Sequence, residues 1–330
     1  MAKTKIEWAT HTWNPITGCS PVSEGCQNCY AARIAKRLAG RAGYPKDDPF
    51  RVTRVTLHPD RLREPLRWRK PRNVFVASMG DLFHEDVPDD WILKVFDVIG
   101  SCPQHIFMIL TKRPEQMKEF IEKLQVRYYN ICSPIKAEFR LKETPFFSKY
   151  KPIKNLWLGV TAENQQRADE RIPILLQIPA AVRFVSVEPM ISKVSLGKWL
   201  LSPGWVPTFN NPDNAFGDKS SEPTDEYIQW VICGGESGHS ARPMHPDWAR
   251  SLRDQCQAAG VPFLFKQWGE WNIEHKQSES VELFRLKSNQ QVAKAQGGGH
   301  WLFTRVGKKR TGRLLDGQVW DQFPKREAIK

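Results

Sequence analysis

Three cysteines, Cys19, Cys26 and Cys29, stand near the start of this 330-residue chain with the spacing C-x6-C-x2-C. Thiolates so spaced suit one metal centre, and closed zinc or iron-sulfur sites use four ligands where three sit together here. The missing ligand leaves a coordination position open, which is where metal centres do chemistry. The loop's other residues agree. Gly18 and Gly25 let the backbone wrap tightly, Pro21 stiffens its middle, and Ser20, Ser23, Gln27 and Asn28 offer hydrogen bonds to sulfur. Two other readings stand beside this one: a structural zinc site completed by His11, His84 or a fourth cysteine, and thiols that are merely buried. Cys102, Cys132, Cys233 and Cys256 are scattered through apolar or loop contexts. Seven cysteines without disulfide-like clustering fit a reducing cytoplasm.

A trio of ligands needs a scaffold, and the rest of the chain supplies a repeated one. Apolar runs of strand length, at 74–78, 106–110, 156–160, 183–187, 227–232 and 261–265, alternate with amphipathic helical stretches. A helix is expected directly after the cysteines, over 31–38. In a second, from Asp89 or Asp90, Ile92, Val95, Phe96 and Ile99 share one face. A third opens at Pro114 and turns Met117, Phe120, Ile121 and Leu124 inward. Further helices are expected over 165–177 and 247–259, the last with Asp247 as N-cap and Gly260 as its stop. The return after residue 187 is poorly defined. Near-continuous apolar strands joined by helices predict an α/β fold with a parallel sheet, and six or seven such units predict a complete or partial (β/α) barrel. The barrel is expected over residues 1–271, with loop insertions at 127–154 and 202–226, and a small C-terminal extension over 272–330.

In such a barrel the working residues gather at the C-terminal ends of the strands. Those ends are polar here: Ser78, Gly80 and Asp81; Thr111, Lys112 and Arg113; Thr161, Glu163 and Asn164; Ser186 and Glu188; Gly234, Gly235 and Glu236; Lys266 and Gln267. Lys112, Glu188 and Lys266 are the candidate catalytic side chains. Lys112, Arg113 and Lys266 are placed to hold a carboxylate or a phosphate, although each is equally suited to a salt bridge inside the barrel mouth. Any single segment reads equally well as a strand-to-helix cap.

Formal charge is +13 with a sequence pI near 9.4, which favours a polyanionic partner. The excess is uneven: residues 33–72 hold 13 Lys or Arg against 4 Asp or Glu, and Lys308, Lys309, Arg310 and Arg313 form a second cluster. Thirteen Trp and seventeen Phe offer stacking platforms for bases, although most aromatics in a chain of this size fill the core. The first residues lack the apolar core of a secretory signal, and no stretch approaches the 18 or so consecutive apolar residues of a membrane span. A soluble, cytoplasmic protein without membrane partners is expected.

The segments Trp13-Asn14-Pro15-Ile16-Thr17-Gly18-Cys19, Phe83-His84, Leu110-Thr111-Lys112-Arg113-Pro114, Trp157-Leu158-Gly159-Val160, Glu188-Pro189, Gly234-Gly235-Glu236-Ser237-Gly238 and Phe265-Lys266-Gln267-Trp268-Gly269 together carry a resemblance. The chain resembles the phage-associated three-cysteine-motif proteins, relatives of radical S-adenosylmethionine enzymes and distantly similar to spore photoproduct lyase. The resemblance implies a barrel of the radical S-adenosylmethionine type. It also implies that Cys19, Cys26 and Cys29 hold a 4Fe-4S cluster whose fourth iron binds S-adenosylmethionine. An external electron donor of the flavodoxin or ferredoxin type reduces the cluster, and the 5′-deoxyadenosyl radical takes hydrogen from a substrate. The usual spacing in such enzymes is C-x3-C-x2-C, so the first gap here is three residues longer.

By strand position, the resemblance makes Ser78, Gly80 and Asp81 contacts to the methionine amino group. It makes Thr161, Glu163 and Asn164 contacts to ribose and carboxylate, with Ser186 beside them, and Gly234, Gly235 and Glu236 a close backbone approach to a ligand. The expected activity is of isomerase or lyase type on a nucleic acid base or nucleotide, in phage DNA modification or repair. The alternatives are a zinc- or cluster-stabilised nucleic-acid-binding protein without turnover, and radical chemistry on a small metabolite or peptide.

Overall fold

A computed structural model describes residues 6–41, 55–127, 153–200, 227–276, 287–294 and 300–325, with positions 4, 44 and 46. Nearly all of the two expected insertions lies outside the described residues, as does Cys132. Seven strands form one curled, wholly parallel sheet: β1 (His11–Trp13), β2 (Asn73–Val76), β3 (Ile106–Thr111), β4 (Leu156–Thr161), β5 (Val182–Val187), β6 (Trp230–Gly234) and β7 (Phe263–Gln267). Each strand pairs with its sequence neighbours, so all seven C-terminal ends lie along one edge. This is a partial (β/α) barrel.

The strands read as unbroken apolar runs because both faces are covered. Alternate residues divide between two cores. Val74, Val76, Phe107, Ile109, Leu158, Val160, Val185, Val231 and Phe265 join the larger core with the inner faces of the helices. Phe75, Met108, Trp157, Phe184, Trp230 and Leu264 form a smaller, aromatic core with Trp8 on the opposite face. The helices are α1 (Tyr30–Arg37), α2 (Asp89–Gly100), α3 (Pro114–Arg127), α4 (Gln165–Leu176) and α5 (Pro246–Ala258). The apolar stripes Ile92, Val95, Phe96 and Ile99 on α2 and Met117, Phe120, Ile121 and Leu124 on α3 are buried.

Two features depart from the sequence reading and a third fills a gap in it. β1 has no apolar run to announce it and is held by pairing with β2. The return after β5, undefined in the sequence, includes a helix at Gly197–Leu200, where the described residues stop until 227. α5 begins one residue early: Pro246 takes the first turn and His245 is the cap, its Nδ1 accepting from the Asp247 amide at 3.2 Å, so Asp247 is not the N-cap. Gly260, with φ +65, does end the helix, and the Val261 amide returns to the Cys256 carbonyl at 2.9 Å.

Beyond β7 an antiparallel three-stranded sheet forms from Trp271–Lys276, Gln290–Lys294 and His300–Arg305. Its Trp271 indole donates to the Ala241 carbonyl at 2.8 Å, docking it beside the barrel mouth. The chain then returns to the barrel: Leu264 bridges Asp321 in antiparallel sense, and the Phe265 amide donates to the Trp320 carbonyl at 2.9 Å. This return covers the otherwise open edge of β7, which unpaired strands leave prone to aberrant pairing. Among the described residues no helix is long and apolar enough to cross a membrane.

Candidate functional site

The cysteine loop starts where β1 ends. Gly18 bridges Gly80 in parallel sense, extending the β1–β2 alignment, and its amide donates to the Met79 carbonyl at 3.1 Å. Gly18 has φ +95, and a Cβ on Gly80 would lie 2.8 Å from the Gly18 carbonyl oxygen, so both positions require glycine. A short 3-10 turn, Glu24–Cys26, then leads to Cys29, which caps α1 and accepts from the Arg33 amide through its carbonyl at 3.3 Å. The three thiols are free and half-buried.

Each stretch of the loop is held by a different strand end. At β3, Arg113 donates from Nη1 to the Cys19 sulfur at 3.4 Å and from Nη2 to Ser20 Oγ at 2.7 Å and to its carbonyl at 3.1 Å. Arg113 is braced by Asp81, whose carboxylate also accepts from Thr111 Oγ1 at 2.7 Å and the Lys112 amide at 3.2 Å. At β4, Glu163 accepts from the Ser23 hydroxyl and from the Gly25 amide at 3.3 Å, and pairs with Arg171 at 2.8 Å. Beyond β6, Glu236 accepts from Asn28 Nδ2 at 2.9 Å and pairs with Arg242 at 2.6 Å. Arg242 in turn donates to the Glu24 carbonyl at 3.0 Å.

Electrostatics follow this arrangement. Burial, with the Asp81 charge, pushes the Cys19 thiol up to about 12 against the pull of Arg113. Burial also opposes ionisation of Glu163, yet Lys112, Arg171 and the Ser23 donor outweigh it and hold the carboxyl below its usual range. Glu236 behaves alike: burial is overcome by the Arg242 and Asn28 donors. Burial, with the charges of Cys29 and Glu188, pushes the Tyr30 phenol upward, while its hydroxyl donates to the Ser78 carbonyl at 2.6 Å. Cys29, Tyr30, Ser78 and Glu188 therefore share one electrostatic neighbourhood at the mouth.

The remaining predicted site residues fall at the same edge in different settings. Ser78 Oγ donates to Asn14 Oδ1 at 3.1 Å, and Asn164 caps α4 by accepting from the Arg167 amide at 2.9 Å. The Thr161 carbonyl accepts from Arg171 at 2.8 Å, and Ser186 is buried within β5. Glu188 and Lys266 form an ion pair at 2.7 Å across the end of β6, where Gly234 leaves room: a Cβ there would lie 3.2 Å from the Glu188 carboxyl carbon. Gly235 abuts the Trp268 carbonyl, 2.2 Å from where a Cβ would stand. The hydrogen bonds described for the Asp81, Glu163 and Glu236 side chains thus run to protein groups, largely of the loop and its braces. Sequence reasoning missed Arg242 as a loop support. No motif marks it, and it finds Glu24 only through the fold, across 218 positions.

Three thiols on one loop are a donor set that zinc and iron-sulfur clusters both accept. Among the described residues no three His, Cys, Asp or Glu side chains converge on a single ion position. His84, a candidate fourth ligand, has both ring nitrogens engaged, Nε2 with Ser20 Oγ at 2.9 Å and Nδ1 with the Asp86 amide at 3.1 Å. His11 sits at the opposite end of β1, beside Trp68.

Among solved structures the chain is similar to a double mutant of spore photoproduct lyase with bound AdoMet and dinucleoside spore photoproduct. Identity is 10%, the TM-score is 0.42, and the match covers 92% of this chain and 71% of that one. A second mutant of the same lyase matches at 11% identity and a TM-score of 0.41, over 92% and 71% of the two chains. No curated protein matches. A family model matches residues 3–324, nearly the whole chain. The chain therefore belongs to the family described as "Protein of unknown function (DUF5131)".

Proposed function

We propose that this protein is a radical S-adenosylmethionine enzyme acting on a nucleic acid base or nucleotide, by an isomerase- or lyase-type reaction. One observation carries the reading: three free thiols on a single loop at the C-terminal mouth of a parallel half-barrel, supported from the ends of β3, β4 and β6. Cys19, Cys26 and Cys29 would hold a 4Fe-4S cluster there, and such a cluster would supply the electron for cleaving a bound sulfonium.

The chain's own residues prepare that site. The loop is tied to the strand ends by hydrogen bonds from Arg113 and to Glu163 and Glu236, and such fixing favours precise positioning. The room left by Gly234 and Gly235 is taken by protein groups, the Glu188 carboxylate and the Trp268 carbonyl, so the close approach to a ligand expected at these glycines is replaced by packing inside the fold. The half-buried Lys266, neutralised by Glu188, offers an ammonium group to a substrate phosphate or carboxylate if the pair opens, and Lys112 stands near Glu163 on the other side. Charge supports the polyanionic substrate: Lys36 and Arg37 on α1 and Lys308, Lys309 and Arg310 are exposed.

Anaerobic reconstitution with iron and sulfide tests the reading. We expect a brown protein with about four irons per chain that converts S-adenosylmethionine to 5′-deoxyadenosine under a strong reductant, and Cys26→Ser loses both properties. A colourless protein that retains one zinc and leaves S-adenosylmethionine intact overturns it.

A further inference from the structure

The three thiols are not equivalent. Among the described side chains, a cationic donor reaches the sulfur of Cys19 alone: Arg113 Nη1 at 3.4 Å. Arg113 is 5% exposed, and both of its terminal nitrogens are engaged. Nη2 is committed to Ser20 twice, at 2.7 and 3.1 Å, and Nη1 also faces Asp81 Oδ2 at 3.4 Å. Asp81, itself 5% exposed, is locked by Thr111 Oγ1 at 2.7 Å and by the Lys112 and Phe83 amides at 3.2 and 3.1 Å. The result is a line of carboxylate, guanidinium and sulfur, whose signs alternate when Cys19 is a thiolate ligand. Such a line is costly to build unless each member is paired, and here each is. Arg113 holds the Ser20 stretch of the loop through Nη2, but its Nη1 contact to sulfur is additional: Glu163 and Glu236 hold their stretches through Ser23, the Gly25 amide and Asn28 without touching a sulfur.

From this we infer that Asp81 and Arg113 form a positioning pair that sets the reduction potential of the metal centre through Cys19, a conclusion that rests on the reading of the three cysteines as cluster ligands. A guanidinium is permanently charged, and a hydrogen bond from it to a ligating sulfur favours the state that carries one more electron. Asp81 behind it opposes that pull. The two residues therefore act on the potential with opposite sign, as no general fault in folding or loop anchorage would.

The test is an anaerobic dithionite titration of reconstituted protein, with the reduced centre followed by electron paramagnetic resonance and iron counted per chain. Arg113→Gln is expected to move the midpoint to more negative values and Asp81→Asn to more positive ones, both with the iron content of the parent. Arg113→Lys, which keeps the charge, is expected to fall between Arg113→Gln and the parent. The inference is overturned by midpoints that do not move, by movement in the same direction for Arg113→Gln and Asp81→Asn, or by loss of iron in Arg113→Gln, which would make Arg113 a fastener of the loop. A parent protein that takes up no cluster sinks the proposed function instead, and is distinguished by the iron count before any variant is compared.

Discussion

Glu163 shows how a single side chain ties the scaffold to the loop. Its carboxylate is fully buried, accepts from the loop at Ser23 and Gly25, and faces the Arg171 guanidinium, itself 5% exposed. Removing the charge leaves Arg171 buried without its partner, a loss on the order of 3 kcal/mol. Because the folded protein holds this carboxyl below its usual range, its contribution is complete above about pH 4.3, the ordinary glutamate value, and fades as pH falls through the lower folded value. Urea denaturation should therefore find Glu163→Gln much less stable than the parent near neutrality, with the gap closing as pH falls below about 4. A gap that does not change with pH would show that the Glu163 charge is not what matters. The signal for this residue in the sequence was its place after an apolar run. Its partners, 140 and 8 positions away, are supplied by the fold.

At the scale of elements, strands and helices were readable wherever burial imposes a period. Parallel strands covered on both faces show as apolar runs, and α2 and α3 show their stripes at the spacing of a helix. β1 was not readable, since three residues, His-Thr-Trp, carry no period. The cap of α5 was misread because aspartate is a stronger statistical cap than histidine, whereas Pro246 fixes the first turn and leaves His245 at the capping position. The site was legible in part: the strand ends supply its residues, but which carboxylate holds which part of the loop depends on contacts that spacing cannot encode.

Packing between neighbouring strands yields a further prediction. Phe184 of β5 lies over Gly159 of β4, where a Cβ would stand 2.6 Å from the ring. Gly159→Ala must displace that ring inside the aromatic core, and should lower stability by about 1–3 kcal/mol, read from the denaturation midpoint. An unchanged midpoint would mean that the core yields there at no cost.

For the whole molecule, the charge excess is tested by its salt dependence. If the exposed turn Lys308–Arg310 contacts phosphates, replacing all three basic residues with alanine should flatten the plot of log affinity for DNA against log salt by up to about three. The slope itself, and not affinity at one salt concentration, decides the matter. A slope that stays the same places the nucleic acid elsewhere on the molecule.

The long-range ties of the cysteine loop also bear on how the protein matures. Cys19, Cys26 and Cys29 leave the ribosome before their supports, since Asn28 meets Glu236 across 208 positions and Cys19 meets Arg113 across 94. During synthesis the thiols wait without their supports, and contacts of such separation form late in folding. If the three cysteines hold a cluster as proposed, its insertion is expected to follow the closing of these long-range contacts, not to precede it.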